Sequence, residues 1–272
     1  MVADSDHPHH GPRVEDDVLI RGRGNFVDDV EKQGVAHAVF VRSPHAHAAI
    51  ASISLDAALQ CPGVLGILTA ADLDGIGSVT RHPPIAGRGG AKIAFSHRPC
   101  LAERKVMHVG EAVAMVVADS LAQALDAAEK VEVAYEELPA LVDAQDALKP
   151  DAPQLFDGIA GNLAIDFPGP VDDPANVAAV DEIIKSAAHV ARVTVVQQRM
   201  VMAPMETRGG TGQYDAKTGR YTLRVCSQGA GPMRDMVAAI MGIDKQMLRV
   251  VTDDVGGAFG LKSGAYPEYP VL

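Results

Sequence analysis

Residues Asp253–Ser263 read Asp-Asp-Val-Gly-Gly-Ala-Phe-Gly-Leu-Lys-Ser, with three glycines in five positions ahead of a lysine and a serine. A phosphate cradle of the nucleotide-hydrolase kind needs G-x-x-x-x-G-K-[ST], with the lysine directly after the second glycine. Here Leu261 separates Gly260 from Lys262, and Val255 stands where the first glycine belongs. The dinucleotide fingerprint G-x-G-x-x-G fails too, because Gly256-Gly257-Ala258-Phe259-Gly260 lacks its register. What remains is a glycine run after a strand, where backbone N–H groups can converge on an oxyanion without Cβ obstruction. The competing reading is an ordinary tight turn.

The chain leading into this stretch alternates strand and helix. Leu248–Thr252 is an apolar strand ending where the glycine run begins. Ahead of it, Met233, Met236, Val237, Ile240 and Met241 share one apolar helical face, which serves as core packing. Pro232 suits the start of that helix and Gly242 its end. Arg220–Cys226 and Ala191–Val196 read as two further strands, and Ala175–Ala188 as a helix. The joint Ser227-Gln228-Gly229-Ala230-Gly231-Pro232 is a second glycine turn. It lies at a helix N-terminus, where open N–H groups and the helix dipole favour an anion. Two such turns can hold one ligand between them, or each can be a turn and no more.

Five prolines fall within Lys149–Pro153 and Pro168–Pro174, so residues 149–174 are expected to link two domains. The first, residues 15–148, is expected to carry strands at Val35–Arg42, Val64–Leu68, Ala112–Ala118 and Val131–Tyr135. Thr69 is placed to cap the turn Ala70–Leu73. Ser120 is placed to cap a helix in which Leu121, Ala124, Leu125 and Ala128 keep helical spacing. Strand, helix and strand with short joints suggest an α/β unit, and Gly75–Gly90 reads as a surface loop. Residues 1–14 form a polar tail expected to be disordered. No carboxylate or cysteine framework fixes its His7, His9 and His10 on a metal.

Composition narrows the function. The chain has 272 residues, 47% apolar and 22% charged, and its core draws on aliphatic residues and Met because Trp is absent. A formal charge of -11 with no basic block argues against nucleic acid and anionic membrane as partners. Apolar runs such as Ala112–Ala118 are too short to span a bilayer. No signal segment is apparent, and the default expectation is a cytoplasmic protein. Cys61, Cys100 and Cys226 match neither a zinc nor an iron–sulfur pattern. They are expected to be buried thiols, so that any redox cluster comes from a partner.

Several stretches together resemble one family, the molybdenum hydroxylase large subunits, which include xanthine dehydrogenase, aldehyde oxidase and aerobic carbon monoxide dehydrogenase. They are Arg21-Gly22-Arg23-Gly24-Asn25-Phe26-Val27-Asp28-Asp29, Arg42-Ser43-Pro44-His45-Ala46-His47-Ala48 and Pro62-Gly63-Val64. They continue in Val109-Gly110-Glu111-Ala112-Val113-Ala114 and Tyr135-Glu136-Glu137-Leu138-Pro139, then in Pro204-Met205-Glu206-Thr207-Arg208-Gly209 and Ser227-Gln228-Gly229. Asp254–Lys262 completes the set, whose order and spacing hold from about residue 15 to Tyr269.

The resemblance implies an α+β (mixed α/β) fold: an α/β hammerhead domain over 15–148, then the first part of a molybdenum cofactor-binding domain over 175–272. It implies that Gln228 hydrogen-bonds an oxygen ligand of molybdenum and that Gly229 beside it is cofactor-binding. Gly256, Gly257, Ala258, Phe259 and Gly260 would form the loop beside the metal and the pterin. The cofactor implied is molybdopterin cytosine dinucleotide with molybdenum. Family chemistry uses a molybdenum-bound oxygen derived from water against an electrophilic carbon, such as that of an aldehyde or N-heterocycle, with carbon monoxide oxidation as a variant. Electrons would leave through iron–sulfur clusters on a small subunit to FAD on a medium subunit.

Departures shape the expectation. Purine-oxidising members carry a glutamate where this chain has Ser263 on the substrate side, which argues against a purine. The usual third glycine of the loop is Ala258. Family large subunits are more than twice as long, and the general-base glutamate and further cofactor contacts are expected outside this chain. No catalytic residue is therefore assigned, nor any direct metal ligand, and the chain is not expected to act alone. Either a second polypeptide completes it, or it is a truncated, non-catalytic relic or interaction module. Its last residues are expected to leave apolar surface unpaired. His45 and His47 share a face if extended, without an evident third ligand. Glu206 is expected to orient a neighbour or to pair with an arginine such as Arg208. Lys262 is expected either to neutralise cofactor phosphate or to be solvated. Asp253 and Asp254, as strand neighbours, point to opposite faces and form no acid–base pair.

Overall fold

Short apolar segments in the first half form strands, and their hydrogen bonding sorts them into two sheets. The computed structural model describes residues 13–29, 34–79, 85–169, 173–197 and 200–272; His7, His9 and His10 lie outside the described residues. The strands are β1 (His37–Arg42), β2 (Ala48–Ser54), β3 (Val64–Thr69), β4 (Lys105–Val106), β5 (Ala112–Ala118) and β6 (Glu132–Glu137). Helices α1 (Asp16–Leu19), α2 (Asp56–Leu59) and α3 (Leu121–Ala128) accompany them.

The unbroken apolar run of β5 has a simple cause: β5 is central. It pairs antiparallel with β1 on one side and β3 on the other. The second sheet, in the order β4-β2-β6, is antiparallel as well. Although β5, α3 and β6 follow one another as in an α/β unit, β5 and β6 belong to different sheets. Periodicity did not mark β2, because its small residues, Ala-Ala-Ile-Ala-Ser-Ile-Ser, blur the contrast between faces.

Capping matches the sequence reading. Thr69 and Asp72 form a capping box, and Ser120 Oγ accepts from the Gln123 N–H. The buried face of α3 differs from expectation, since the helix turns Ala124 and Ala127 to the core and leaves Leu121 and Leu125 exposed. Alanine allows the helix to approach the sheet closely. Of the three cysteines, Cys100 and Cys226 are buried but Cys61 is only partly so.

The second half holds helix α4 (Pro174–Ser186), strands β7 (Gly210–Asp215) and β8 (Arg220–Val225), helix α5 (Ala230–Met241) and strand β9 (Leu248–Val251). The sheet order is β7-β8-β9; β7 is antiparallel to β8, and β9 is parallel to it. A parallel neighbour requires a crossover, which α5 supplies. Met233 and Val237 of α5 pack with Leu223, Val225, Leu248 and Tyr269. The helix begins at Ala230, two residues before Pro232, with Gly229 as its N-cap. Proline is tolerated there because the first turn makes no use of its missing N–H. Gly242 closes the helix at φ 66°, the left-handed conformation glycine adopts most readily.

Two expectations are corrected. Ala191–Val196 is not a strand: the stretch is irregular, with Val193 86% and Val195 76% exposed. A strand needs a neighbour to take its N–H and C=O groups, and none of the described residues lies alongside. The last residues, by contrast, are not left unpaired. Val271 is buried in a cluster with Cys100, Leu101 and Ile240, and Tyr269 is buried beside Met233. Their packing joins the two halves, together with Arg42 on β1, whose Nη2 lies 2.8 Å from Glu268 Oε1. Among the described residues no helix is long and apolar enough to cross a membrane.

Candidate functional site

The two glycine turns leave neighbouring parallel strands, β8 and β9, so the fold brings their starts together. Thr252 Oγ1 donates to the Val225 carbonyl at 2.9 Å, and Ser227 Oγ lies 2.7 Å from Thr252 Oγ1. Further along, the Gln228 N–H donates to the Lys262 carbonyl at 3.0 Å. That bond ties Gln228 and Gly229 to the far end of the loop carrying Gly256–Gly260. The Gln228 side chain itself is exposed.

The loop is held from beneath. Lys262 is completely buried, and its Nζ donates to Glu206 Oε2 at 2.7 Å and to the Glu206 carbonyl at 2.9 Å. Glu206 Oε2 also accepts the Gly256 N–H at 2.9 Å, while Oε1 accepts the Val27 N–H at 3.2 Å. The Glu206 N–H returns a bond to the Gly256 carbonyl at 3.2 Å. Neither role foreseen for Lys262 holds, because the ammonium points inward, away from solvent. Nor does Glu206 pair with Arg208; that arginine joins Arg42 on Glu268. Burial acts to raise the Glu206 pKa, yet the hydrogen bonds from Lys262, Gly256 and Val27 outweigh it and hold the carboxyl below its ordinary value.

Close packing explains one glycine of the run. A Cβ on Gly256 would lie 2.6 Å from Glu206 Cβ. Gly257 at φ 95° and Gly260 at φ 86° are left-handed, as is Phe259 at φ 50°. A non-glycine residue in that region stores strain of roughly 1–3 kcal/mol, and here the strained residue is a phenylalanine left 75% exposed. Ser263 Oγ donates to the Gly260 carbonyl at 2.8 Å, closing the loop's far side. The other turn is open: a Cβ on Gly231 would meet nothing within 4 Å, and the helix N-cap Gly229 offers no side-chain acceptor. The Ala230 and Gly231 N–H groups at this uncapped start can therefore receive an anionic oxygen.

The two aspartates ahead of the loop go separate ways. Asp253 pairs with Arg224 of β8, whereas Asp254 Oδ2 accepts the Asn25 N–H at 2.8 Å. Asp254, Val255 and Gly256 line one side of a cavity of about 490 Å³ whose other side is Leu19, Gly24 and Phe26. The early Arg21–Asp29 stretch thus lies against the late loop. His45 and His47 part company: His45 Nδ1 lies 3.4 Å from Glu137 Oε1, and His47 Nδ1 lies 2.8 Å from the Pro139 carbonyl.

Matches to known proteins agree with this layout. Residues 21–139 match the family model for the aldehyde oxidase and xanthine dehydrogenase a/b hammerhead domain, and residues 170–272 match that for the molybdopterin cofactor-binding domain. The chain belongs to the molybdenum hydroxylase large-subunit family and carries the hammerhead and cofactor-binding regions of its N-terminal portion. Among its relatives is the carbon monoxide dehydrogenase large chain of Hydrogenophaga pseudoflava, 37% identical over 94% of this chain and 32% of the relative. The nicotine 6-hydroxylase large subunit of Paenarthrobacter nicotinovorans is 34% identical over 94% of this chain and 30% of its own length. In structure the chain is similar to quinoline 2-oxidoreductase from Pseudomonas putida 86, with TM-score 0.80 and 34% identity over 96% of this chain and 32% of that one. The chain thus spans about a third of the length of these relatives.

Proposed function

We propose that this chain supplies one wall of the active site of a molybdenum hydroxylase and holds one side of its pterin cofactor. The observation that carries the reading is the hydrogen bond from the Gln228 N–H to the Lys262 carbonyl, which sets both glycine turns side by side. The residues fit the group. Open N–H donors at Ala230 and Gly231 suit phosphate oxygens, and the exposed Gln228 amide is free to bond a polar ligand edge. Phe259, fixed in a strained backbone by Gly257 and Gly260 around it, offers an apolar face that keeps water from the same edge. The buried Glu206–Lys262 pair sets the height of the loop and carries no proton to substrate.

When bound, the molybdenum cofactor supplies the two-electron redox chemistry of the site. Its form is proposed as molybdopterin cytosine dinucleotide, whose phosphate oxygens the Ala230 and Gly231 N–H groups at the start of α5 would hold. Ser263 stands on the substrate side, and with a hydroxyl there in place of a carboxylate the substrate is proposed to be an aldehyde, an aromatic N-heterocycle or carbon monoxide rather than a purine. Iron–sulfur and FAD subunits are the proposed partners, acting in the cytoplasm, and the proton-abstracting base is proposed to lie in the part of the large subunit that these residues do not span.

The test is metal and nucleotide content. The chain is co-expressed with the electron-transfer subunits and with a polypeptide matching the rest of the relatives, and the purified complex is assayed for molybdenum and released cytidine nucleotide. Near-stoichiometric molybdenum supports the proposal, and a stable complex without molybdenum overturns it.

A further inference from the structure

Tyr266 follows the glycine loop in the chain, and its side chain turns back onto it. The hydroxyl donates to the Leu261 carbonyl at 2.7 Å, and the ring packs edge-to-face on Tyr269 with centroids 6.0 Å apart. A phenol set against a core needs an acceptor for its O–H, and here the acceptor is the main chain of the loop. The peptide that starts at the Leu261 carbonyl ends on the Lys262 N–H. The next carbonyl, that of Lys262, receives the Gln228 N–H. The two peptide planes are rigid, and they meet at Lys262, whose side chain is anchored on Glu206. Holding the Leu261 carbonyl therefore fixes the plane next to the one that bonds Gln228.

Such an anchor has work to do at this place. Around Gly260, at φ 86°, a Cβ would meet no described atom within 4 Å, so sterics leave the backbone beside Phe259 free to turn. Glu206 holds the start of the loop through the Gly256 N–H, and Ser263 Oγ bonds the Gly260 carbonyl from the loop's own end. Tyr266 instead brings in contacts from outside. The Arg208 guanidinium carbon lies 3.7 Å from the centre of its ring, and Arg208 Nη1 lies 3.4 Å from Glu268 Oε2. Arg42 of β1 takes the other oxygen of that carboxylate, and its Nη1 donates to the Gly110 carbonyl at 3.0 Å. A guanidinium over a ring face is attracted by the ring's quadrupole, more strongly where water is excluded, and Glu268 is only 9% exposed. Sharing Glu268 with Arg42 sets where Arg208 rests on the ring; without Arg42 the carboxylate is free to turn to Arg208 alone.

We propose that Tyr266 is a positioning residue for the edge formed by Gln228 and Phe259. Its hydroxyl sets the Leu261 peptide, and the Arg42–Glu268–Arg208 stack holds its ring, so that docking of the sheet containing β1 fixes the loop. This rests on the proposed function in taking that edge to be the cofactor's; the mechanical link itself belongs to this chain.

Hydrogen exchange read by mass spectrometry, on the purified complex of which these residues are part, tests the link. Tyr266→Phe keeps the ring and its arginine but removes the O–H. It is expected to speed exchange of peptides spanning 256–263 about fivefold, the effect of one lost hydrogen bond on a local opening, and to leave β8 and β9 unchanged. Arg42→Ala is expected to loosen the same peptides about twofold to threefold. With both substitutions the loop should be no looser than with Tyr266→Phe alone, because the stack acts through the hydroxyl. Should Arg42→Ala not fold, Arg42→Lys, which keeps the charge and loses the planar fork, runs the same cycle. Unchanged exchange over 256–263 in Tyr266→Phe overturns the inference. Additive loosening in the double variant overturns it too, since Arg42 would then act by a route that bypasses Tyr266. Molybdenum content is read separately. A loop that loosens as expected in a complex without molybdenum overturns the proposed function alone, and full molybdenum with a loop indifferent to Tyr266→Phe overturns this inference alone.

Discussion

Lys262 Nζ lies 2.7 Å from Glu206 Oε2 with the lysine entirely removed from solvent. The pair joins two motifs 56 residues apart, Pro204–Gly209 and Asp254–Lys262. Its carboxylate also takes the N–H groups of Gly256 and Val27, so one side chain ties its own motif to two others, the late loop and the early Arg21–Asp29 stretch. A buried ion pair of this kind contributes little net stability over an apolar replacement, but losing one member leaves a charge uncompensated. Its value here is positional, since it sets the loop that presents Phe259.

Lys262→Met and Glu206→Gln are each expected to destabilise the chain by about 3–5 kcal/mol, because each strands a buried charge. The double variant is expected to recover much of that loss. Denaturant unfolding of the four proteins measures the cycle. Additive losses in the double variant would show that the two side chains act independently.

Acid is expected to weaken the fold. Burial acts to raise the Glu268 pKa, but the Arg42 hydrogen bond and the charges of Arg208 and Arg42 prevail and hold it low; Glu206 is held low as well. A depressed folded-state pKa contributes stability that is present above the ordinary carboxylate value of 4.5 and is lost as pH falls through the lower folded value. Unfolding free energy should therefore be level from pH 7 to about 5 and drop below pH 4.5. Glu268→Gln should lower stability at neutral pH and flatten the drop, and an unchanged acid limb in that variant would count against the assignment.

The glycines of the two turns should respond differently. Gly256→Ala forces a Cβ to 2.6 Å from Glu206 Cβ, an atom fixed to the backbone, and is expected to cost about 1–3 kcal/mol. Gly260→Ala meets no atom within 4 Å but keeps φ 86°, so about 1–2 kcal/mol of left-handed strain is expected. Gly231→Ala, in open space within α5, should leave stability unchanged or slightly raised while lowering cofactor retention. Thermal melts of the chain and molybdenum content of the complex report the two effects. Full retention of molybdenum in Gly231→Ala would place the cofactor elsewhere.

Thiol chemistry separates the cysteines. Burial, with a smaller contribution from Glu268, pushes the Cys100 pKa up to about 11, so at pH 8 it remains a protonated thiol. Iodoacetamide at that pH should label Cys61 first in the native protein and reach Cys100 and Cys226 only on unfolding. Mass mapping of the labelled peptides checks the order, and early labelling of Cys100 would contradict its buried place beside Leu101 and Val271.

Much of the local structure was legible in the residues. β5 carries an apolar run bounded by Glu111 and Asp119, α3 its Ser120 cap, and α5 its methionine spacing with Gly242 at the stop. Each depends on neighbours within a few positions, and periodicity and capping are short-range physics. The family resemblance, resting on ordered motifs along the chain, led to the same α+β architecture. Less legible were β2 and β7, whose small residues and glycines mask alternation.

Only the tertiary structure decided what depends on distant partners. The partner of Lys262 could not be read from its charge, because an ammonium is equally suited to solvent, phosphate or a carboxylate until the fold sets one within 2.7 Å. Likewise Gln228 and Gly256–Gly260 became one edge only when β8 and β9 lay parallel. Ala191–Val196 shows the converse. Its residues are those of a strand, but a strand is a relation between two segments, and among the described residues no backbone hydrogen bond pairs it with another.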